Sequence, residues 1–403
     1  MKKAFKYRIY PTSHQESLFL NTLDLCRELY NGALQERSDA YKRAGISITY
    51  SMQQNQLPEI KKSRSDLLTV HSQVLQDALH RVENAFDHFF RRVKEGQSNP
   101  GYPKYKSKFR YDSFSYPQSG WSLNKNKLYI SKIGTLKVRL SQPIAGKVKT
   151  LTIKREAGKW YVIFSCELES KPLPETLKVT AVDVGIENFL TDDKGKTVDN
   201  PKHLRKAEKR LAKLQRQAAR KKKRSKKWKR AQKRVAKAHA KVRNQRRDFT
   251  HKQSRKLINK YDIIFYENLN IAGMLQNHHL AKSISDAGWG MFFEQLEYKA
   301  EYAGKLAKNV NPNNTSQICS GCSKKVPKGL SVRWHKCIYC GIELHRDHNS
   351  AINILARGIE ILQAEGHSVS APGGLAMVRL LKGEPWGNNC SKAAQFLSIS
   401  DGC

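Results

Sequence analysis

The stretch TSQICSGCSKKVPKGLSVRWHKCIYCGIELHRDHNSAINIL, residues 315–355, sets two Cys-x-x-Cys pairs, Cys319/Cys322 and Cys337/Cys340, just ahead of Asp347 and an apolar helical run. A Cys-x-x-Cys loop lets two thiolates reach one ion. Two such loops, fourteen residues apart here, complete the closed tetrahedral shell of a structural Zn²⁺. Four coincidental buried thiols are the rival reading, and the spacing argues against it. With every ligand a thiolate, no open position is left for water, so any hydrolysis must be assigned elsewhere. His335, His345 and His348 read as solvated or nucleic-acid-facing residues, not as ligands.

Working outward, two more acids end strand-like runs. Glu267 closes the apolar IIFYE, where desolvating an unpaired carboxylate is costly, and Asp183 closes the β-branched part of VTAVDVGIENFL, two residues before Gly185. Each has a plain alternative: Asp183 as a turn former, Asp347 as a helix N-cap. Taken together, three acids from two strands and a helix start are what divalent-ion binding for phosphodiester hydrolysis needs. Hard Mg²⁺ or Mn²⁺ prefers carboxylate oxygen.

The 403 residues carry 74 Lys and Arg against 35 acids, a formal net charge of +39, with 39% hydrophobic residues. That is a globular, multidomain chain whose charge calls for a polyanion. No run approaches the roughly 18 to 20 apolar residues that would span a bilayer, and MKKAFKYRIYPT has no apolar signal core. The remaining cysteines, Cys26, Cys166, Cys390 and Cys403, follow no framework spacing. A reducing, intracellular setting, the cytoplasm, is expected.

Phe5–Tyr10 reads as a strand ended by Pro11, and residues 14–44 and 65–94 as helices within an insertion spanning 15–95. Residues 111–168 read as short alternating strands of an antiparallel sheet, a small barrel that Phe5–Tyr10 would join. A second domain starts near residue 176. Between Arg205 and Arg247 about half the positions are Lys or Arg, and Glu208 is the only acid; two helices meeting near 221–227 would form a cationic hairpin. YDIIFYENLNI reads as a buried strand and 290–307 as an amphipathic helix. In PGYPKYKSKFRYDSFSYP, Tyr102, Tyr105, Phe109, Tyr111, Phe114 and Tyr116 alternate with Lys104, Lys106, Lys108 and Arg110, a pattern suited to unstacked bases and phosphates. Its plain alternative is a turn and an edge strand with surface lysines.

The ordered blocks YRIYPT, PGYPKYKSK, DVGIENF, YENLNI, TSQICSGC with KCIYCG, and RDHNSAINIL resemble TnpB, the transposon-associated RNA-guided DNA nuclease family related to the type V CRISPR effectors. The resemblance spans nearly the whole chain. It implies a multidomain α+β and α/β protein, with a wedge-like β-barrel at 1–14 and 96–175 and an inserted helical recognition domain at 15–95. A ribonuclease H-like RuvC nuclease follows at 176–310, with its basic hairpin at 203–258, then the zinc ribbon at 311–342, nuclease segment III at 343–368, and a disordered tail at 369–403. The family's acidic triad falls on Asp183, Glu267 and Asp347, and its zinc element on the four cysteines. The expected partners are a guide RNA from the transposon end and double-stranded target DNA, cut beside a short motif. The alternatives are a nuclease-inactive RNA-guided regulator and a DNA-binding transposition accessory.

Overall fold

Alternation makes Lys2–Tyr10 a strand, β1, with Phe5, Tyr7 and Ile9 turned inward. The structure is a computed structural model describing residues 1–329, 331–366, 368–370 and 377–379, and β1 belongs to the first of two units, Met1–Glu169 and Ser170–Cys403. Helix α1 (Ser13–Ala44) opens with a reciprocal capping box between Thr12 and Gln15 and stops at Gly45, whose φ of 66° is left-handed. Helices α2 (Tyr50–Ser63) and α3 (Ser72–Lys94) follow. The helix expected over 65–94 is interrupted: a 3-10 turn occupies Ser65–Thr69, and His71 caps a fresh start by accepting from the Gln73 amide. Phe90, near the end of α3, is exposed.

Strands β2 (Ser113–Tyr116), β3 (Trp121–Asn124), β4 (Lys127–Ile130), β5 (Gly134–Arg139), β6 (Lys147–Glu156) and β7 (Lys159–Glu167) join β1 in one antiparallel sheet. Its order is β2-β6-β7-β1-β5-β4-β3, so the first strand of the chain does pair with the later ones. Phe5 stands opposite Phe164 and Ile9 opposite Trp160. Helix α1 seals this core by placing Phe19 4.8 Å from the Trp160 ring and 5.8 Å from Phe114.

The second unit contains β8 (Val179–Asp183), β9 (Asn188–Asp192), β10 (Thr197–Asp199), α4 (His203–Ala219), α5 (Lys226–Lys260), β11 (Ile263–Glu267), α6 (Ile271–Met274), α7 (Ala281–Ala287), α8 (Trp289–Tyr302) and β12 (Leu306–Val310). The small hairpin β13 (Trp334–Lys336) and β14 (Glu343–His345) and the helix α9 (Arg346–Ala364) complete it, followed by a short ladder, β15 (Ser368–Ser370) with β16 (Met377–Arg379). The rest of the tail expected from 369 lies outside the described residues. The helix expected over 290–307 is corrected: it ends at Tyr302, the chain turns through Gly304 at φ 66°, and Leu306–Val310 pairs with β11 as a parallel strand.

The second sheet runs β10-β9-β8-β11-β12, antiparallel through β8 and parallel from β8 to β12. Side-chain parity splits its core in two. Val179, Ala181, Ile263 and Phe265 face α9 through Ile354 and Leu362, while Val182, Ile264 and Tyr266 face Phe292, Phe293 and Leu296 of α8 and Ile258 of α5. The molecule is therefore mixed α and β throughout. Among the described residues no helix is long and apolar enough to cross a membrane.

Candidate functional site

The same parity aims two acids at one place. Val182 lies opposite Tyr266 on adjacent parallel strands, so Asp183 and Glu267 are the next residues at the C-terminal ends of both. Being two residues on from Ala181 and Phe265, they project toward the α9 face. Asp347 arrives from the first turn of α9, where an atom built at the Cβ position of Gly185 would be 3.6 Å from its Oδ2. It is not the N-cap: His345 caps α9, its Nδ1 accepting from the Asp347 amide at 3.3 Å, so the Asp347 carboxylate stays available. The positive end of the helix favours that charge.

The three charges act on one another. Asp183 keeps part of its side chain open yet lies deep among protein atoms, and burial, then the Glu267 and Asp347 carboxylates, push its pKa well above 3.8 against the Ser350 hydroxyl and Arg346. Glu267 is also raised, by burial first, and is opposed by the hydroxyl of buried Thr315, which donates to its Oε1, and by Arg357 and Arg346. Carboxyls so disfavoured as anions mark a place where a cation is welcome. They are not drawn into one compact cage. Among the described residues, only the four cysteines hold all their donor atoms within 4.8 Å of one another.

At the ribbon, Cys319 Sγ lies 3.6 Å from Cys340 Sγ and Cys322 Sγ 3.5 Å from Cys337 Sγ. Four thiolates about 2.3 Å from a central zinc stand roughly 3.8 Å apart, so this set fits the ion. Burial works against ionising Cys337, yet the backbone N–H groups of Cys340 and Tyr339 and the neighbouring thiols bring its pKa down to about 6. The expectation for the histidines is corrected in part. His335 is buried and bonds through Nδ1 to Lys328 Nζ. His348 meets the Asp193 carbonyl at 3.1 Å.

The segment between β12 and the first cysteines is strapped to α9. Asn353 Nδ2 donates to the carbonyls of Thr315, at 2.8 Å, and Ile318, at 2.7 Å. Asn349 donates to Ile318 O and accepts from the Ser320 amide. Arg346 reaches Ser316 Oγ at 3.0 Å and the Gly329 carbonyl at 2.8 Å. The sequence reading passed over these residues. Its signal was there: in NSAINIL, Asn349 and Asn353 recur four apart on the face that carries Ala351's buried neighbours, where polar groups need partners.

The aromatic and basic segment divides. Tyr111, Phe114 and Tyr116 are buried, correcting their reading as stacking rings: alternation carries Phe114 and Tyr116 of β2 into the sheet core, and Tyr111, just before β2, packs beside Tyr30 of α1 with Arg81 of α3 over its ring. Tyr102, Tyr105 and Phe109 stay exposed, Tyr102 edge-on to Phe86 and Phe89 at 5.6 and 5.4 Å. Lys106 sits over the Tyr30 ring at 5.6 Å and Lys108 pairs with Asp24 at 2.6 Å, while Lys104 and Arg110 are exposed. The cationic helices α4 and α5 meet through buried Leu211, Ala218 and Val242.

Family models match this chain at residues 163–278 ("Probable transposase"), 289–354 ("Cas12f1-like, TNB domain") and 1–45 ("Helix-turn-helix domain"). Residues 1–45 fold as one strand and one long helix, not two helices about a turn. A Streptomyces pristinaespiralis protein described as "Putative RNA-guided DNA endonuclease" is 35% identical over 370 residues, 89% of this chain and 90% of the relative. The Escherichia coli K12 protein with the same description and the name InsQ is 30% identical over 381 residues, 89% and 93% of the two chains. Among solved structures, the mini-RNA-guided endonuclease CRISPR-Cas_phi3 is loosely similar, with a TM-score of 0.48 at 10% identity, covering 89% of this chain and 92% of that one.

Proposed function

This chain belongs to the TnpB family of transposon-associated RNA-guided DNA endonucleases, and on that premise we propose that it cuts DNA with Asp183, Glu267 and Asp347 at a site chosen by a bound RNA. The observation that carries the assignment of residues is the convergence of three carboxylates from β8, β11 and α9, two of them with pKa values raised by burial and by their neighbours. The strand order β10-β9-β8-β11-β12, with α9 packed across it, supports a ribonuclease H-like reading of the second unit. The seven-stranded sheet and α1–α3 support the wedge and recognition parts in the first.

The three carboxylates would hold Mg²⁺ or Mn²⁺, and the ion would supply charge stabilisation and water activation for phosphodiester hydrolysis. The protein's part is to fix the anions. Strand register holds Asp183 beside Glu267, Thr315 orients Glu267, and the first turn of α9 holds Asp347. The Cys319, Cys322, Cys337 and Cys340 set holds zinc and takes no part in hydrolysis. The RNA and the DNA phosphates are neutralised by the net charge of +39, concentrated on α4 and α5 and joined by Lys104 and Arg110. Base pairing reads the target, in keeping with a chain rich in phosphate-binding charge. The DNA acted on is intracellular.

Expression with native flanking DNA, purification at high salt and sequencing of the copurified RNA tests the guided reading. A discrete species ending in a variable segment is expected, and random fragments would overturn it. Asp183→Ala should abolish cleavage with RNA binding intact, and retained cleavage would remove Asp183 from the site.

A further inference from the structure

Taking the carboxylate site proposed above as given, we propose that Thr315 is a positioning residue for Glu267, held in place by Asn353 of α9, so that one side-chain hydroxyl fixes the orientation of the central carboxylate. Thr315 is 3% exposed and has two acceptors near its hydroxyl, Glu267 Oε1 and the Pro312 carbonyl at 3.1 Å. A hydroxyl has one proton to give, and the closer, charged acceptor takes it. That donation leaves Glu267 Oε2 as the oxygen free to turn toward Asp183 and Asp347.

The hydroxyl is itself immobilised. The Thr315 carbonyl accepts from Asn353 Nδ2 at 2.8 Å, and the same amide group spans to Ile318 O at 2.7 Å. Asn353 stands on α9 between Ser350 and Ile354, both buried, so the helix that delivers Asp347 also sets the backbone that orients Glu267. Two carboxylates on different elements are thereby aligned by one helix. A free glutamate with several rotamers would have to be ordered at each ion-binding event; here the ordering is built in.

The test compares RNA-loaded complexes carrying Thr315→Val, Thr315→Ala and Thr315→Ser. Valine keeps the shape and removes the hydroxyl; alanine and serine share the loss of the methyl and differ only in the oxygen. A hydrogen bond to a charged group corresponds to roughly tenfold to hundredfold in a rate or a binding constant. The expected result is a loss of about that size in kcat for Val and Ala, and recovery to within about threefold of the parent for Ser. KM for target DNA should not change, since the hydroxyl is buried and spent on Glu267.

A second readout is Mn²⁺ binding by electron paramagnetic resonance, with the signal of the Glu267→Gln complex taken as background. Weaker binding in Val and Ala, restored in Ser, is expected. Equal kcat and equal Mn²⁺ affinity in Ser and Ala would overturn the proposal, whichever of them folds less well, as would a loss in Ser as deep as in Ala. A parent complex that neither cuts nor binds Mn²⁺ above background would instead overturn the carboxylate site itself.

Discussion

Gly358 of α9 lies against Phe265 of β11 so closely that a Cβ on the glycine would stand 2.3 Å from the ring's Cγ. Glycine inside a helix costs about 1 kcal/mol against alanine, and here it lets the helix settle onto the sheet just behind Glu267. Gly358→Ala would force the helix outward, because the Phe265 ring is fully buried and cannot swing away. A stability loss of about 1–3 kcal/mol is expected from the overpacking, with nuclease activity falling further than stability, since Asp347 rides on the same helix. Thermal melting beside a cleavage assay reads both; Gly358→Ala with the parent's midpoint and rate would contradict the close packing.

The raised pKa values of Asp183 and Glu267 set a pH dependence. With reference values of 3.8 and 4.5 in the unfolded chain and higher values in the fold, the folded state holds more protons between the two limits. The stabilisation these two acids contribute in chelator should therefore be greatest below about pH 4, fall as pH rises through the window up to the raised folded values, and level off above it. Each unit of elevation corresponds to about 1.4 kcal/mol. Asp183→Asn should flatten that fall and melt higher than the parent at pH 8 without divalent ions, though it cannot cut. A difference in melting point between Asp183→Asn and the parent that stays constant from pH 4 to pH 8 in chelator would show that the acids are not mutually strained.

Removing zinc should reach the acids through the strap. Cys319 follows Thr315, Ser316 and Ile318, which are tied to α9 through Asn349, Asn353 and Arg346. Structural zinc sites contribute on the order of 10 kcal/mol in small domains. Chelation should expose four thiols to a thiol reagent and raise amide exchange across residues 315–329, with protection of β8 and β11 retained. Unchanged exchange at Thr315 after zinc loss would separate the ribbon from the carboxylate site.

How much of this was legible depends on whether a residue's partner is near in sequence. The cysteines were readable because both halves of each knuckle lie three residues apart, and Asp183 and Glu267 because each ends an apolar strand that shows in the letters. The strand Leu306–Val310 was not, since LAKNV has no strong alternation and becomes a strand only by pairing with β11. Thr315 and Asn353 were missed for the same reason: Thr315 meets Glu267, and Asn353 the Thr315 and Ile318 carbonyls, across long stretches of chain. Tyr111, Phe114 and Tyr116 share their letters with exposed Tyr102 and Tyr105, and only packing against the sheet and the helices separates the two sets.

Asp286 shows what such distant partners do for the basic hairpin. Its carboxylate is 7% exposed and accepts from the Leu204 amide at 2.8 and 2.9 Å, from the Arg205 amide at 3.2 Å, and from Arg246 Nη2 at 3.1 Å. Helix α4 has no side-chain cap of its own, because Lys202 stands at its N-cap, so an acid on α7 supplies that cap and simultaneously pins α5. Asp286→Ala leaves Arg246 partly buried without its anion and frees the start of α4, a loss of about 3–5 kcal/mol for breaking a buried pair from one side. Asp286→Asn keeps an acceptor for the amides and should lose less. Amide exchange at 203–206 should rise in both, more in Ala. RNA affinity should fall in step with that exchange while the slope of log affinity against log salt stays the same, because no phosphate contact has been removed. A reduced salt slope would mean instead that Asp286 had been holding a phosphate-binding cation in place.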